Sequence, residues 1–216
     1  MIDVDEILKR LARERPVFHS EADFQHTLAW KIHEEYPDMN IRLEKRFELN
    51  GKETYVDIYL QNEDERGFIE LKYKTEALEV VVGEEKFKLK SQAAQDISRY
   101  EFLKDVSRLE ECVEKFQNSM GYAVFLTNDQ QYWKPPARDT IDRDFRIHEG
   151  IIPREGKREL RWKEGAGEGT MKGREEPIIL RGRYRVSWQD YSNLRVKNGL
   201  FKYLVIKINK LNKLEG

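Results

Sequence analysis

The chain has a single cysteine, Cys112, among its 216 residues. One thiol excludes an intramolecular disulfide and any zinc site built from several cysteines, and it suits a reducing compartment; a cytoplasmic protein is the expectation. No apolar run approaches the length that crosses a bilayer. The N-terminal MIDVDEILKRLARERP mixes charges with apolar residues where a signal peptide would be continuously apolar. Net charge is scarce as well: 39 Lys and Arg stand against 40 Asp and Glu, a formal charge of -1. The overall balance offers nothing to a polyanion, so any nucleic-acid surface must be local. HExxH, GxSxG and GxxxxGK[ST] are all missing, which removes common signatures of zinc peptidases, serine hydrolases and phosphate-cradling loops.

Charged residues (37%), hydrophobic residues (39%) and aromatics (11%) are plentiful. That mixture gives a folded chain with a densely ionic surface, and the length suits one domain over 1–216. Val4, Ile7, Leu8 and Leu11 recur at helical spacing before Pro16. Ser20 and Asp23 form an acidic variant of the capping box ahead of a second helix carrying Phe24, Leu28 and Ile32. A meander follows, with strands at 41–49, 54–60 and 67–74, an NGK turn after the first, and a further hairpin turning near Gly83 and Glu84. From Ser91 the period becomes helical: Ile97, Tyr100, Leu103, Val106, Leu109, Val113 and Phe116 make a stripe about seven turns long. YAVFLT at 122–127 has the continuous apolar pattern of a central strand. The polar, proline- and glycine-bearing 134–176 is expected to be an insertion or mobile loop, and 178–209 to supply two closing strands, IILRGRYRVSW and FKYLVIKI. The fold class is α/β, a mixed central sheet flanked by helices.

Two strands of the meander carry acids inside apolar runs. Alternation puts Tyr55, Asp57 and Tyr59 opposite Val56, Ile58 and Leu60, and it puts Glu70, Lys72 and Lys74 opposite Ile69, Leu71 and Tyr73. An antiparallel pairing with an even-length loop would set Asp57 beside Glu70. Like charges facing each other destabilise a sheet unless a cation compensates, and Lys72 or a divalent ion could do so. A hard ion such as Mg²⁺ (or Mn²⁺), held by two carboxylates and the oxygens of a phosphate, suits phosphodiester cleavage.

An acid on one strand, Glu70-Leu71-Lys72 on the next and a preceding helix with Glu21 resemble the PD-(D/E)XK nuclease superfamily, the restriction-endonuclease-like fold. The resemblance covers about 17–128, and Val56 stands where the family name has proline. It implies a core of that fold and a metal-dependent nuclease, endo- or exonuclease, hydrolysing phosphodiester bonds, with DNA the favoured substrate. Asp57, Glu70 and Lys72 would be catalytic, and Glu21, Asp57 and Glu70 would bind Mg²⁺ or Mn²⁺. Gln92, Gln95 and Tyr100 are supporting candidates on the following helix. Whether two copies act as a homodimer stays open. The alternative is a catalytically inactive relative that binds nucleic acid or a protein partner.

Glu84-Glu85-Lys86 and Glu155-Gly156-Lys157 repeat the three-residue pattern, but only the first copy sits between apolar strand residues after an acidic strand. Lys74, Lys86, Lys88, Arg181, Arg183 and Arg185 make basic stripes that could follow a phosphate backbone or could simply protect strand edges. His19, His26 and His33 lack metal-site spacing and read as surface residues.

Overall fold

The computed structural model describes residues 1–210; the last six positions of the expected 1–216 domain lie outside the described residues. Helix α1 (Val4–Glu14) begins at Asp3, whose carboxylate accepts the Glu6 N–H, and it buries Val4, Ile7, Leu8 and Leu11. Helix α2 (Glu21–Glu35) is capped by Ser20, whose Oγ accepts the Asp23 N–H at 3.1 Å, while Asp23 reaches back to the His19 N–H at 2.9 Å. Strands β1 (Asn40–Leu49) and β2 (Lys52–Gln61) are joined by Asn50 and Gly51. Their φ values of 50° and 74° make this the left-handed hairpin turn that Asn-Gly favours. β3 (Arg66–Lys74) follows, then the small hairpin β4 (Leu78–Val82) and β5 (Glu85–Leu89), helix α3 (Gln95–Lys115) and β6 (Ser119–Thr127).

The remainder holds β7 (Gly150–Ile152), β8 (Glu159–Leu160), the single-turn α4 (Glu168–Met171), β9 (Ile178–Ile179), β10 (Tyr184–Val186), β11 (Gln189–Asn193) and β12 (Leu200–Ile208). The main sheet runs β1-β2-β3-β6-β12-β11; β3 and β6 are parallel and the other neighbours antiparallel. This is an α/β fold with a mixed central sheet. One face packs Ile69, Leu71, Tyr73 and Val124 against α1, α2 and the β4–β5 hairpin. The other packs Phe68, Ala123 and Phe125 against Leu103, Val106 and Leu109 of α3. β6 is buried on both sides, as its continuous apolar run requires.

Three expectations need correction. The long helix starts at Gln95 rather than Ser91, because the Gln92 N–H is bonded to the Thr75 carbonyl at 2.8 Å and Ala94 takes a left-handed φ of 66°; its 21 residues make about six turns. The 134–176 segment is packed, not loose: Phe145, Ile147, Ile152 and Leu160 are buried against the α3 side, and the nearly inaccessible Arg99 and Asp142 pair at 2.6 Å. Its anchors are single apolar residues separated by polar ones, which leaves no period to read. Lastly, 178–188 is not one closing strand but β9 and β10, paired with β8 and β7 in separate two-stranded sheets. The far edge of the main sheet is β11, whose polar QDYSN carries no strand pattern.

Candidate active site

β1 and β2 keep one register from Asn40 opposite Gln61 to Leu49 opposite Lys52, but the ladder skips Glu44 and Asp57. Glu44 sits at φ 49°. Across that break the core-facing residues change sides: Ile58 and Leu60 join the α1–α2 core, whereas Val56 joins the α3 core. The expected strict alternation of Tyr55, Asp57 and Tyr59 against Val56, Ile58 and Leu60 therefore fails at Asp57, since alternation needs an uninterrupted pleat.

The β2–β3 ladder ends at Ile58 opposite Ile69, so Asp57 and Glu70 occupy the next rung, where the strands part. Backbone N–H groups released there still need partners. Asp57 Oδ2 accepts the Leu71 N–H at 2.6 Å and Glu21 Oε2 accepts the Tyr73 N–H at 2.7 Å. Gln25 of α2 steadies the other side of the break, its Nε2 donating to the Asp57 carbonyl at 2.8 Å and to Glu44 Oε1 at 2.7 Å.

Glu70 is 2% exposed, which rules out a solvated polar face. Its Oε1 accepts from Arg108 Nε at 2.8 Å; Arg108 Nη2 also donates to Asp105 Oδ1 at 2.7 Å. Asp105 Oδ2 pairs with Lys72 Nζ at 2.6 Å. Glu70, Arg108, Asp105 and Lys72 thus form one chain of ion pairs between β3 and α3, with Asp57 and Glu21 beside it. Four carboxylates face two cations.

The electrostatics follow from burial. Loss of water pushes the Asp57 carboxyl up to about 6, against the pull of the Leu71 N–H and Lys72. Burial, then the neighbouring Asp105 and Asp57, drive Glu70 well above the ordinary carboxylate range, with Arg108 opposing. For Lys72 burial acts to lower the pKa, but Asp105, Glu21 and Asp57 outweigh it and the ammonium is held protonated.

Among the described residues, no group of three or more His, Cys, Asp or Glu side chains is arranged to hold a metal ion. The donor set nevertheless fits a hard divalent cation of the Mg²⁺ kind: such an ion keeps most of its waters and takes one or two carboxylates plus substrate phosphate, not a complete protein cage. The part-buried Asp57 and Glu21 carboxylates beside the Lys72–Asp105–Arg108–Glu70 chain are the negative charge that such an ion would offset.

The other sequence candidates are engaged elsewhere. Gln92 Oε1 accepts the Thr75 N–H at 3.1 Å, Gln95 donates to Asp129 at 2.9 Å, and the buried Tyr100 donates its hydroxyl to the Glu176 carbonyl at 3.0 Å while stacking on Trp162. Lys86 pairs with Glu79 across the β4–β5 hairpin, where Lys88 is also exposed; Lys74 ends β3, half-buried. Arg181 and Arg183 lie in the turn between β9 and β10, and only Arg185 is in a strand. Arg183 and Arg185 line a groove with Lys9, Lys207, Asp3, Asp5 and Glu6, in which Lys9 pairs with Glu6 and Lys207 with Asp5, on a face away from Asp57 and Glu70. His19 contacts Glu85 at 2.8 Å, and His26 and His33 line an open groove beside Trp30.

Asp105 and Arg108 were not legible as site residues. Each precedes a stripe residue, Val106 and Leu109, and that flank position on an amphipathic helix is the only hint that they face the sheet. Among known proteins, no family model, no curated protein and no solved structure matches this chain. Among the described residues, no helix is long and apolar enough to cross a membrane.

Proposed function

We propose that the protein is a divalent-cation-dependent nuclease with a restriction-endonuclease-like core, acting on the phosphodiester backbone of nucleic acid, DNA before RNA. The observation that carries this reading is the parting of β2 and β3, which sets Asp57 and Glu70 on one rung with Lys72 two residues further along β3. Asp57 and Glu70 would hold Mg²⁺ or Mn²⁺, with Glu21 at the margin. A bound cation supplies a water of lowered pKa and neutralises phosphate oxygens. Lys72, kept protonated by Asp105, would orient that water or offset charge on the phosphate rather than act as a base. Asp57 is tied to Leu71 through one oxygen, which keeps the carboxylate aimed while the other oxygen stays available.

A non-catalytic relative that binds nucleic acid or a protein partner is the second reading, and the ion pair that already occupies Glu70 favours it. Metal binding and cutting separate the two. The full chain and Asp57→Asn, which keeps an acceptor for the Leu71 N–H, are incubated with supercoiled plasmid and labelled single-stranded DNA in Mg²⁺, Mn²⁺ or EDTA. Metal-dependent cutting that the variant lacks supports the nuclease; a chain that neither cuts nor gains thermal stability from Mn²⁺ removes it.

A further inference from the structure

Three residues of α3 answer three of β3 in order. Glu101, Asp105 and Arg108 follow i, i+4, i+7 spacing, which sets them in one line on the helix. β3 pairs with β6 without a break from Arg66 to Lys74, so Glu70, Lys72 and Lys74 share the face turned to α3. The helix runs against the strand: Arg108 meets Glu70 at 2.8 Å, and Asp105, one turn earlier, meets Lys72 at 2.6 Å. The next rung would be Glu101 with Lys74, again of opposite sign, but Glu101 pairs instead with Arg174 Nε at 2.7 Å. Among the described residues, no carboxylate pairs with Lys74. The acids near it in the chain or on β6 are engaged as well. Glu21 has one oxygen on the Tyr73 N–H, Glu76 accepts the Ser91 hydroxyl at 2.6 Å, and Asp129 accepts from Gln95 and from the Gln131 N–H, both at 2.9 Å.

Resting on the nuclease reading, we infer that Lys74 is a substrate contact: its ammonium takes a backbone phosphate neighbouring the one that is cut. Lys74 is half-buried at the end of β3, on the stretch from Glu70 onward that β2 leaves uncovered. It lies on the same face as Lys72, two residues or about 7 Å further along the strand, a step comparable to one nucleotide of extended backbone. Lys72 and Arg108 are each already paired with carboxylates, so Lys74 is the cation of this row whose charge is wholly available to an added anion. The Glu101–Arg174 pair leaves that place open. Lysine holds a phosphate as a point charge with no fixed approach, which suits a contact that grips the backbone and reads no base.

The test separates binding from cutting. Binding of labelled single-stranded DNA, and of its duplex, to the full chain is measured in Ca²⁺ across a salt series for wild type, Lys74→Gln, Lys74→Arg and Lys9→Gln, and cutting in Mg²⁺ is followed for the same proteins. Lys9 is the control, an exposed lysine of α1 paired with Glu6. With no ion pair to lose, Lys74→Gln should fold as wild type. It should bind at least fivefold more weakly at low salt, with the log–log salt slope shallower by about 0.7 to 0.9, the share of one phosphate. KM should rise while kcat stays within twofold of wild type, a split that a purely structural lysine would not produce. Lys74→Arg should keep wild-type binding, and Lys9→Gln should move neither readout. Affinity and slope equal to wild type in Lys74→Gln, or an equal loss in Lys9→Gln, overturn the inference, while wild-type cutting leaves the nuclease reading standing. Weaker binding by Lys74→Gln of a protein that never cuts supports the contact and removes the nuclease. A wild type that neither binds nor cuts either DNA overturns both.

Discussion

Gln25 holds Asp57 by its backbone and not by its carboxylate: the Gln25 amide donates to the Asp57 carbonyl at 2.8 Å while also reaching Glu44 at 2.7 Å. The one side chain spans the two strand residues that the β1–β2 ladder leaves unpaired. It therefore fixes where the strand breaks, and so where the Asp57 carboxylate points.

Gln25→Ala strips both donors from a site that is 9% exposed. Glu44 is exposed and can turn to water, so the Asp57 carbonyl is the acceptor left without its partner; an unsatisfied buried acceptor costs on the order of 1–3 kcal/mol, and the low end of that range is the expected loss in a urea unfolding experiment. Gln25→Glu should cost more, because it adds a carboxylate beside Glu44. An unfolding midpoint equal to wild type for both variants would show that the break is set by the strands themselves.

Glu110 is a second buried carboxylate with a purely structural set of contacts. It accepts the Arg181 N–H at 2.9 Å, the Gly182 N–H at 2.7 Å and the Tyr184 hydroxyl at 2.6 Å. Glu110→Ala leaves three donors without a partner and is expected to lose roughly 3–5 kcal/mol, the range of a broken buried network. Metal affinity at Asp57 and Glu70 should be unaffected in whatever folded fraction remains, and calorimetry of Mn²⁺ binding checks this.

The contrast between these sites explains what the sequence made legible. Elements with a period were readable, because burial of one face imposes it: α1, α2, the meander, the β4–β5 hairpin and β12 stand near their expected places, and β6 does so through its unbroken apolar run. Asp57, Glu70 and Lys72 were readable because charges in apolar strands are anomalies. Glu21 lies with them, its carboxylate on the Tyr73 N–H. The partners from α3 were not, since Asp105 and Arg108 look like ordinary charges on a helix until the sheet covers them. The 134–186 region was misread for a related reason. Its order comes from isolated anchors and polar pairs, Arg99 with Asp142 and Glu110 with the 181–184 turn, that are distant in sequence. Such contacts have no local signature.

His148 offers a test of that packed region. Burial, with Arg154 and Arg146 close by, lowers its pKa to about 4. Because the ordinary value is near 6.5, the unfolded chain binds the proton more readily, so this contribution to stability is present above about pH 6.5 and is lost as pH falls towards 4. Relative to wild type, His148→Gln should lose less stability between pH 7 and pH 4.5, as followed by thermal melts. Parallel pH profiles would place the imidazole in water.

Asp57 works in the opposite sense. Its folded pKa of about 6 lies above the ordinary aspartate value, so the folded state is the better proton acceptor between about pH 4 and pH 6. In metal-free protein, then, the stability associated with Asp57 falls as pH rises through that window and stays low above it. Asp57→Asn has no proton to lose. It should match wild type near pH 4 and exceed it at pH 7 by on the order of 3 kcal/mol, the free energy of a shift of this size. Saturating Mn²⁺ would reverse the ranking at pH 7, since the cation compensates a charge that asparagine lacks, and its affinity for wild type should climb as pH rises through about 6. Thermal melts of both proteins at pH 4.5, 6 and 7.5, with and without Mn²⁺, decide the matter. A variant no more stable than wild type at pH 7 would mean that Lys72 and the Leu71 N–H already neutralise the carboxylate, and the site would have no deficit left for a metal to fill.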